Sequence, residues 1–172
     1  RDGSWFERIE EFCREKNLLP NHFILSSGLT EMINGCPISR YFKTIFASKY
    51  MYNANGEAVW PSVAINYTTK TQYLFRINKG ILNHHDNKSI NRYMSEEDRS
   101  ISFKNMIFIG DGETDVPTMK MLTYKGGHSI AVYDPKRDGV DLKKIHELIS
   151  DGRVDFVSTA DYTENSQLDI II

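Results

Sequence analysis

The run Met106–Ile109 constrains the fold more than any other part of the sequence. Four consecutive apolar residues bounded by Gly110 are typical of a strand that is buried on both faces of a parallel sheet. Pro117, which suits the first turn of a helix, follows soon afterwards. A strand that leads directly into a helix is the repeating unit of α/β folds, so this region predicts a fold of that class.

Strands and helices alternate along the rest of the chain. Apolar periodicity predicts helices at Ser4–Asn17, Leu29–Asn34, Thr69–Ile81, Pro117–Tyr124, Leu142–Ser150 and Ser166–Ile172, and strands at Phe23–Leu25, Ser129–Tyr133 and Asp155–Ser158. Turn residues at 53–56 separate two strand-like runs and predict a small β-hairpin over residues 44–66. Residues 83–105 are polar and predict a surface insertion. The alternation predicts a single α/β domain over 1–172, a Rossmann-like parallel sheet with helices on both faces in three layers.

Composition excludes several classes of partner. The 172 residues carry 21 Lys and Arg against 23 Asp and Glu, a net charge of −2, so no strongly basic face is expected for nucleic acid or an anionic membrane. No apolar stretch approaches the ~20 residues that span a bilayer. Cys13 and Cys36 show no metal-binding spacing and predict free thiols in a reducing, cytoplasmic compartment. Nothing in the sequence indicates the oligomeric state.

Carboxylates follow the predicted buried strand directly. Asp111 and Asp115 belong to Gly-Asp-Gly-Glu-Thr-Asp at 110–115, where the carboxyl end of a parallel strand places ligand sites. Hard oxygen donors of this kind suit Mg²⁺. A calcium-binding EF-hand loop is excluded, because its sixth and twelfth positions would be Val116 and Leu122. The alternative is a solvated turn in which Asp115 caps the following helix.

Two further features could bind phosphate. Ser26-Ser27-Gly28 follows the strand Phe23–Leu25, and a hydroxyl with free backbone N–H groups can donate hydrogen bonds to a phosphate oxygen. Lys70 lies in the first turn of the predicted helix Thr69–Ile81, where a cation opposes the helix dipole by about 0.3–1 kcal/mol. Lys70 therefore lies either in solvent or against an anion. Lys79 is the alternative phosphate-binding lysine.

A serine after a strand, a lysine opening a helix and an aspartate pair after a strand, in this order, resemble the haloacid dehalogenase (HAD) superfamily, and most closely its phosphoserine phosphatase-like branch. By that resemblance Ser26 matches the second family motif, Lys70 the third, and Asp111 with Asp115 the fourth.

The resemblance implies a magnesium-dependent phosphohydrolase that acts on a small phosphorylated substrate, a phosphomonoester, through an aspartyl-phosphate intermediate. It also implies the site residues: Ser26, Lys70, Asp111 and Asp115 as catalytic residues, Ser26, Ser27, Gly28 and Lys70 as phosphate-binding residues, and Asp111 and Asp115 as magnesium ligands. Asp115 would hold the metal or its waters, or orient Lys70.

The chain departs from the family at the first motif, an apolar strand ending in Asp-x-Asp, because no aspartate is followed by another two positions later. Asp134, after the strand Ser129–Tyr133, is the nearest substitute. The resemblance implies a HAD-like core that is incomplete at both ends, with the central nucleophile strand and a cap domain upstream of residue 1, and the hairpin 44–66 as a flap. The alternative is a non-catalytic HAD-like domain that binds a phosphorylated ligand or a partner protein.

Overall fold

The computed structural model describes residues 3–137 and 141–172. The chain divides into two compact units, one that ends at Thr69 and one that runs from Lys70 to Ile172. Both contain parallel strands and helices, so the protein has an α/β fold, as the alternation of elements predicts. Within the described residues, no helix combines the length and apolar character needed to cross a membrane. The single domain predicted over 1–172 stays a prediction.

The first unit is built on a three-stranded sheet in the order β1-β2-β3. Strand β2 pairs in parallel with β1 through its first half and antiparallel with β3 through its second half. The side chains of Phe46 and Ala47, in β2, are fully buried at the centre of this unit. Its elements are helix α1 (Ser4–Glu15), strand β1 (His22–Leu29), helix α2 (Thr30–Asn34), a 3-10 turn (Pro37–Tyr41), and strands β2 (Phe42–Tyr52) and β3 (Ala58–Val63).

The β2–β3 ladder is the antiparallel hairpin predicted over residues 44–66. Its turn forms because the Asn53 side chain accepts hydrogen bonds from the backbone N–H groups of Asn55 and Glu57, each at 3.0 Å. Gly56 has φ +80°, a left-handed conformation that glycine adopts without a steric cost.

Strand β1 is longer than the predicted strand Phe23–Leu25. It continues through Ser26–Gly28 to Leu29, with an irregularity in its register against β2 between Leu25 and Leu29. The Ser48 hydroxyl of β2 donates to the carbonyl oxygen of Ser27 at 3.2 Å, which holds the irregular segment against the neighbouring strand. The prediction that the strand ends before Ser26 is wrong, because this cross-strand support outweighs the turn preference of small polar residues.

The second unit contains a fully parallel sheet in the order β4-β5-β6. Its elements are helices α3 (Tyr67–Lys79), α4 (Asn87–Ile90), α5 (Val116–Tyr124), α6 (Leu142–Ser150) and α7 (Gln167–Ile171), strands β4 (Ile107–Gly110), β5 (His128–Tyr133) and β6 (Phe156–Thr159), and 3-10 turns at Phe103–Asn105 and Glu113–Asp115. Helix α3 begins just before the boundary between the units.

Helices cover both faces of this parallel sheet. On one face Ala131 of β5 packs with Met119 of α5 and Leu148 of α6. On the other face Ile130 and Val132 pack with Leu168 of α7. Neighbouring residues of β5 point to opposite faces of the sheet, so its buried residues pack against the helices on both faces.

The insertion 83–105 is more firmly attached than its polar sequence indicates. Arg76, on α3, donates to the carbonyl oxygens of Asn83 at 2.8 Å and Asp86 at 3.2 Å. The Asn78 side-chain amide donates to the carbonyl oxygen of Ile101 at 2.7 Å. Phe103 is buried, with 5% of its surface exposed. The insertion is therefore fixed to α3 by buried polar side chains that supply donors to its backbone.

Four strands, β1, β3, β4 and β6, are edge strands among the described residues, each paired on one side only. Strand β1 pairs with β2 on one side only, and β4 pairs with β5 on one side only. An open edge of a parallel strand leaves a row of backbone N–H and C=O groups without sheet partners. Each of these edges is able to accept one more strand.

Candidate functional site

The loop after β4 carries the two aspartates at different depths. Asp111 directly follows Gly110, the last residue of β4, and its side chain is exposed. The chain then turns through the 3-10 segment Glu113–Asp115, and the N–H of Asp115 donates to the carbonyl oxygen of Gly112 at 2.9 Å. Asp115 is buried, with 5% of its surface exposed. One carboxylate thus faces solvent at the sheet edge and the other faces the protein interior.

Lys70 forms a buried ion pair with Asp115. The Lys70 Nζ atom donates to Asp115 Oδ1 at 2.5 Å, and only 6% and 8% of the two side chains are exposed. Lys70 therefore lies against an anion and not in solvent, which are the two environments that the sequence predicts for it. Asp115 makes no side-chain capping hydrogen bond to α5, so its predicted alternative role as a helix cap is wrong.

Asn66 determines where Lys70 falls on helix α3. Its side-chain oxygen accepts from the N–H groups of Thr68 at 3.0 Å and Thr69 at 3.1 Å, and the Thr69 hydroxyl accepts from the Asn66 N–H at 2.8 Å. This reciprocal arrangement is a capping box. The helix therefore begins at Tyr67 rather than at the predicted Thr69. Asn66 is the residue before the helix that caps it, and Thr69 is the helical residue that completes the capping box.

Helices α3 and α5 are joined beside this ion pair by a second polar contact. The hydroxyl oxygens of Thr71 and the fully buried Thr118 lie 3.4 Å apart. Gly110 also has a packing role there, because a Cβ atom at its position would lie 2.7 Å from Asp115 Oδ2. The close approach of β4 to the Asp115 carboxylate requires glycine at this position.

Tyr162 is a neighbour of Asp111 that the sequence analysis did not identify. It lies in the loop after β6, and burial together with the negative charge of Asp111 raises the pKa of its hydroxyl. Because the carboxyl ends of parallel strands meet at one edge, every loop that leaves this edge was a candidate. Tyr162 does not belong to a recognisable motif, so no stronger signal for it exists in the sequence.

The residues of this loop fit part of a magnesium site. Asp111 offers exposed carboxylate oxygens at the carboxyl end of a parallel strand, and Mg²⁺ commonly takes one or two carboxylates and keeps several waters. Asp115 Oδ1 is already bound to Lys70, which favours its predicted role of orienting the lysine. Residues 3–137 and 141–172 contain no group of three or more His, Cys, Asp or Glu side chains arranged to hold a metal.

The predicted phosphate-binding segment Ser26–Gly28 lies in the first unit, within β1. The Ser26 hydroxyl oxygen accepts from the N–H of Gly28 at 3.0 Å, while Ser27 and Gly28 are exposed. This hydrogen bond leaves the Ser26 hydroxyl proton free to be donated to another acceptor.

Lys79, the alternative phosphate-binding lysine, and Asp134, the nearest substitute for the nucleophile, make contacts outside the candidate site. Lys79 Nζ donates to the carbonyl oxygens of Ile90 and Arg92, both at 2.7 Å, and so holds the insertion. Asp134 is exposed after β5, where its side chain accepts from the N–H of Lys136 at 2.9 Å in a local turn. Cys13 and Cys36 are free thiols, as predicted.

Comparison with known proteins identifies one relative at the level of sequence. No family model matches the chain. The chain is similar to an uncharacterized protein of Borreliella burgdorferi, with 29% identity over 163 residues, covering 85% of this chain and 54% of that protein. The chain therefore spans about half the length of the curated relative it matches.

Among solved structures, the chain is similar to a D-isomer specific 2-hydroxyacid dehydrogenase from Lactobacillus delbrueckii ssp. bulgaricus in its NAD complexed form. The match has 15% identity and a TM-score of 0.24, and it covers 91% of this chain and 59% of that chain. A TM-score of 0.24 carries no argument about the fold. The description of the fold therefore rests on the strands and helices reported above.

Proposed function

We propose that this chain is part of a magnesium-dependent phosphohydrolase of the HAD type. The observation that carries the proposal is the buried Lys70–Asp115 ion pair at the end of β4, beside the exposed carboxylate of Asp111. Burying a lysine ammonium group costs free energy, which a paired acid offsets only in part. A buried lysine therefore suggests a function. In a phosphatase that function is to meet the negative charge of a phosphoryl group.

The residues have separate tasks in this proposal. Lys70 stabilises charge on the phosphoryl oxygens in the transition state, and Asp115 holds its ammonium group in place. The Ser26 hydroxyl, whose proton the hydrogen bond from the Gly28 N–H leaves available, donates to a phosphate oxygen. A magnesium ion held through Asp111 would add positive charge beside the same oxygens.

The reaction needs a nucleophile that residues 1–172 do not supply. An aspartate oxygen bonds to phosphorus while the bond from phosphorus to the alcohol oxygen breaks, and a second acid gives the departing oxygen its proton. Water then attacks the aspartyl-phosphate, which releases inorganic phosphate and restores the carboxylate.

We place that aspartate on a further strand, for which the open edges of β1 and β4 are candidate partners. Each of these strands has one described partner, and the chain corresponds to about half of its curated relative. The proposed fold is thus the three-layer HAD-like core, with the hairpin 44–66 as a flap. Tyr50 and Trp60 on this hairpin are 41% and 67% exposed, which leaves them free to contact a substrate.

The test is phosphate release from p-nitrophenyl phosphate by the full-length protein, with and without magnesium. Asp111→Asn is expected to lower the rate about 10²-fold or more, as loss of a charge that stabilises the transition state does. Asp151→Asn is the matched control, because Asp151 is also exposed, lies in the same unit and undergoes the same loss of charge. It is expected to leave the rate unchanged.

A second readout separates metal binding from catalysis. Titration of the full-length protein with MgCl₂ in a calorimeter is expected to show binding that Asp111→Asn weakens and Asp151→Asn does not. Hydrolysis that is independent of magnesium would refute the metal assignment. Absence of hydrolysis in a protein that still binds phosphate would refute the enzyme and favour the non-catalytic phosphate-binding domain.

A further inference from the structure

A cavity of about 360 Å³ lies between helices α3 and α4 in the second unit. Gln72, Phe75, Arg76 and Lys79 form one wall. Their spacing of three and four residues places them on one face of α3. Asn87, Ile90 and Asn91, on and just after α4, form the other wall with the same spacing. A cavity of this volume is in the range that holds a small molecule.

The charge of this cavity is positive. Among the described residues that line it, Arg76 and Lys79 carry charge and none is Asp or Glu. The Lys79 ammonium donates to two carbonyl oxygens, and the Arg76 guanidinium donates to two carbonyl oxygens and to Asn87 Oδ1. Neutral acceptors satisfy these donors but do not cancel the charges, so the cavity favours an anion.

Asp86 accepts from Arg76 through its backbone carbonyl oxygen, and its side-chain carboxylate is engaged elsewhere. Its carboxylate accepts from the N–H of Ser89 at 2.8 Å and so caps α4. This hydrogen bond, with a smaller effect of the Arg76 charge, lowers the pKa of Asp86. The Asp86 carboxylate offsets part of the positive charge of Arg76. The hydrogen-bond partners of the Lys79 ammonium group are neutral carbonyl oxygens.

The remaining lining residues indicate the rest of the ligand. Phe75 and Ile90 offer apolar surface on opposite walls, and the side chain of Gln72 offers amide donors at the exposed end of the face. We propose that this cavity binds a small organic anion, with a carboxylate or phosphate group toward Lys79 and Arg76 and a flat apolar body between Phe75 and Ile90. The proposal uses none of Ser26, Lys70, Asp111 and Asp115, and it assigns Lys79, the alternative phosphate-binding lysine, to this cavity.

The test uses calorimetric titration of the full-length protein with two probes, benzoate and phenylphosphonate. They share an aromatic body and distinguish a carboxylate from a phosphate-like head group. Gln72→Glu introduces a like charge into the lining without removing a cation that holds the insertion. It is expected to weaken binding about tenfold, whereas Gln72→Lys is expected to strengthen it.

Gln167→Glu is the matched control, because Gln167 is exposed, lies in the same unit and undergoes the same change of charge. It is expected to bind both probes like the unaltered protein. Saturable binding of either probe that follows the charge at position 72 supports the proposal. Absence of saturable binding in the millimolar range overturns it. Binding that Lys70→Met removes and Gln72→Glu leaves intact also overturns it, because the anion would then lie at the end of β4.

Discussion

Removing one member of the Lys70–Asp115 pair should destabilise the second unit severely. The two side chains lie 2.5 Å apart and are 6% and 8% exposed, so either partner would be left as a buried, uncompensated charge. Such losses typically cost about 3–5 kcal/mol. We therefore expect Lys70→Met and Asp115→Asn each to lower the free energy of unfolding by about 3–4 kcal/mol.

The double variant distinguishes a paired charge from two separately important residues. With both charges gone, most of the loss should be recovered, so the coupling energy in the cycle should exceed about 2 kcal/mol. Arg153→Met is the control, because Arg153 and Asp151 form an ion pair at 3.5 Å whose side chains are 48% and 54% exposed. An exposed pair of this kind contributes at most about 1 kcal/mol.

The assay is urea unfolding followed by two signals. Both tryptophans, Trp5 and Trp60, lie in the first unit, so their fluorescence reports on that unit, while far-ultraviolet circular dichroism reports on both. The circular dichroism transition should move in the single variants. A loss below about 1 kcal/mol in both of them, or a coupling energy near zero, would refute the inference that the pair is buried and mutually compensating.

Two further predictions concern packing and pH. Gly110→Ala places a methyl group 2.7 Å from Asp115 Oδ2 and from Met119 Cε, and should lower stability by about 1–3 kcal/mol in urea unfolding. Gly28→Ala, where the nearest atom lies 3.2 Å away, should cost less, and equal losses would contradict the packing argument. Burial lowers the pKa of the His22 imidazole, and the negative charge of Glu10 has a smaller effect that raises it. The unfolded first unit therefore binds a proton at His22 more readily than the folded unit does. Its stability, followed by tryptophan fluorescence, should therefore fall as pH drops below about 6.5, and a variant with Gln at position 22 should lose that slope.

The sequence located the candidate residues but not their contacts. The apolar run before Gly110 located β4, and the types of Lys70 and Asp115 made both of them candidates. Their pairing joins positions 45 residues apart, and neither periodicity nor motif spacing specifies such a contact. The sequence predicts that α3 starts at Thr69, two residues late, because Asn66 and Thr69 are both good capping residues.

Polar segments were the least predictable part of the fold. Ser26–Gly28 resembles a loop by composition, but the long strand β2 provides a partner that keeps it in β1. Residues 83–105 resemble a solvated excursion, yet Arg76 and Asn78 are buried to supply donors to its backbone. In both cases the decisive partner is distant in the sequence, and local preference carries no information about it.

The capping box at Asn66 sets the rotational phase of helix α3. Lys70 is the fourth residue of this helix, so the direction of its side chain around the helix axis is fixed by the residue at which the first turn closes. Each residue advances the direction by about 100°. Inserting a single residue between Asn66 and Lys70 would keep every side chain of the site but turn the ammonium group away from Asp115. The length of this short connection is therefore as specific a requirement as the identity of the two charged residues.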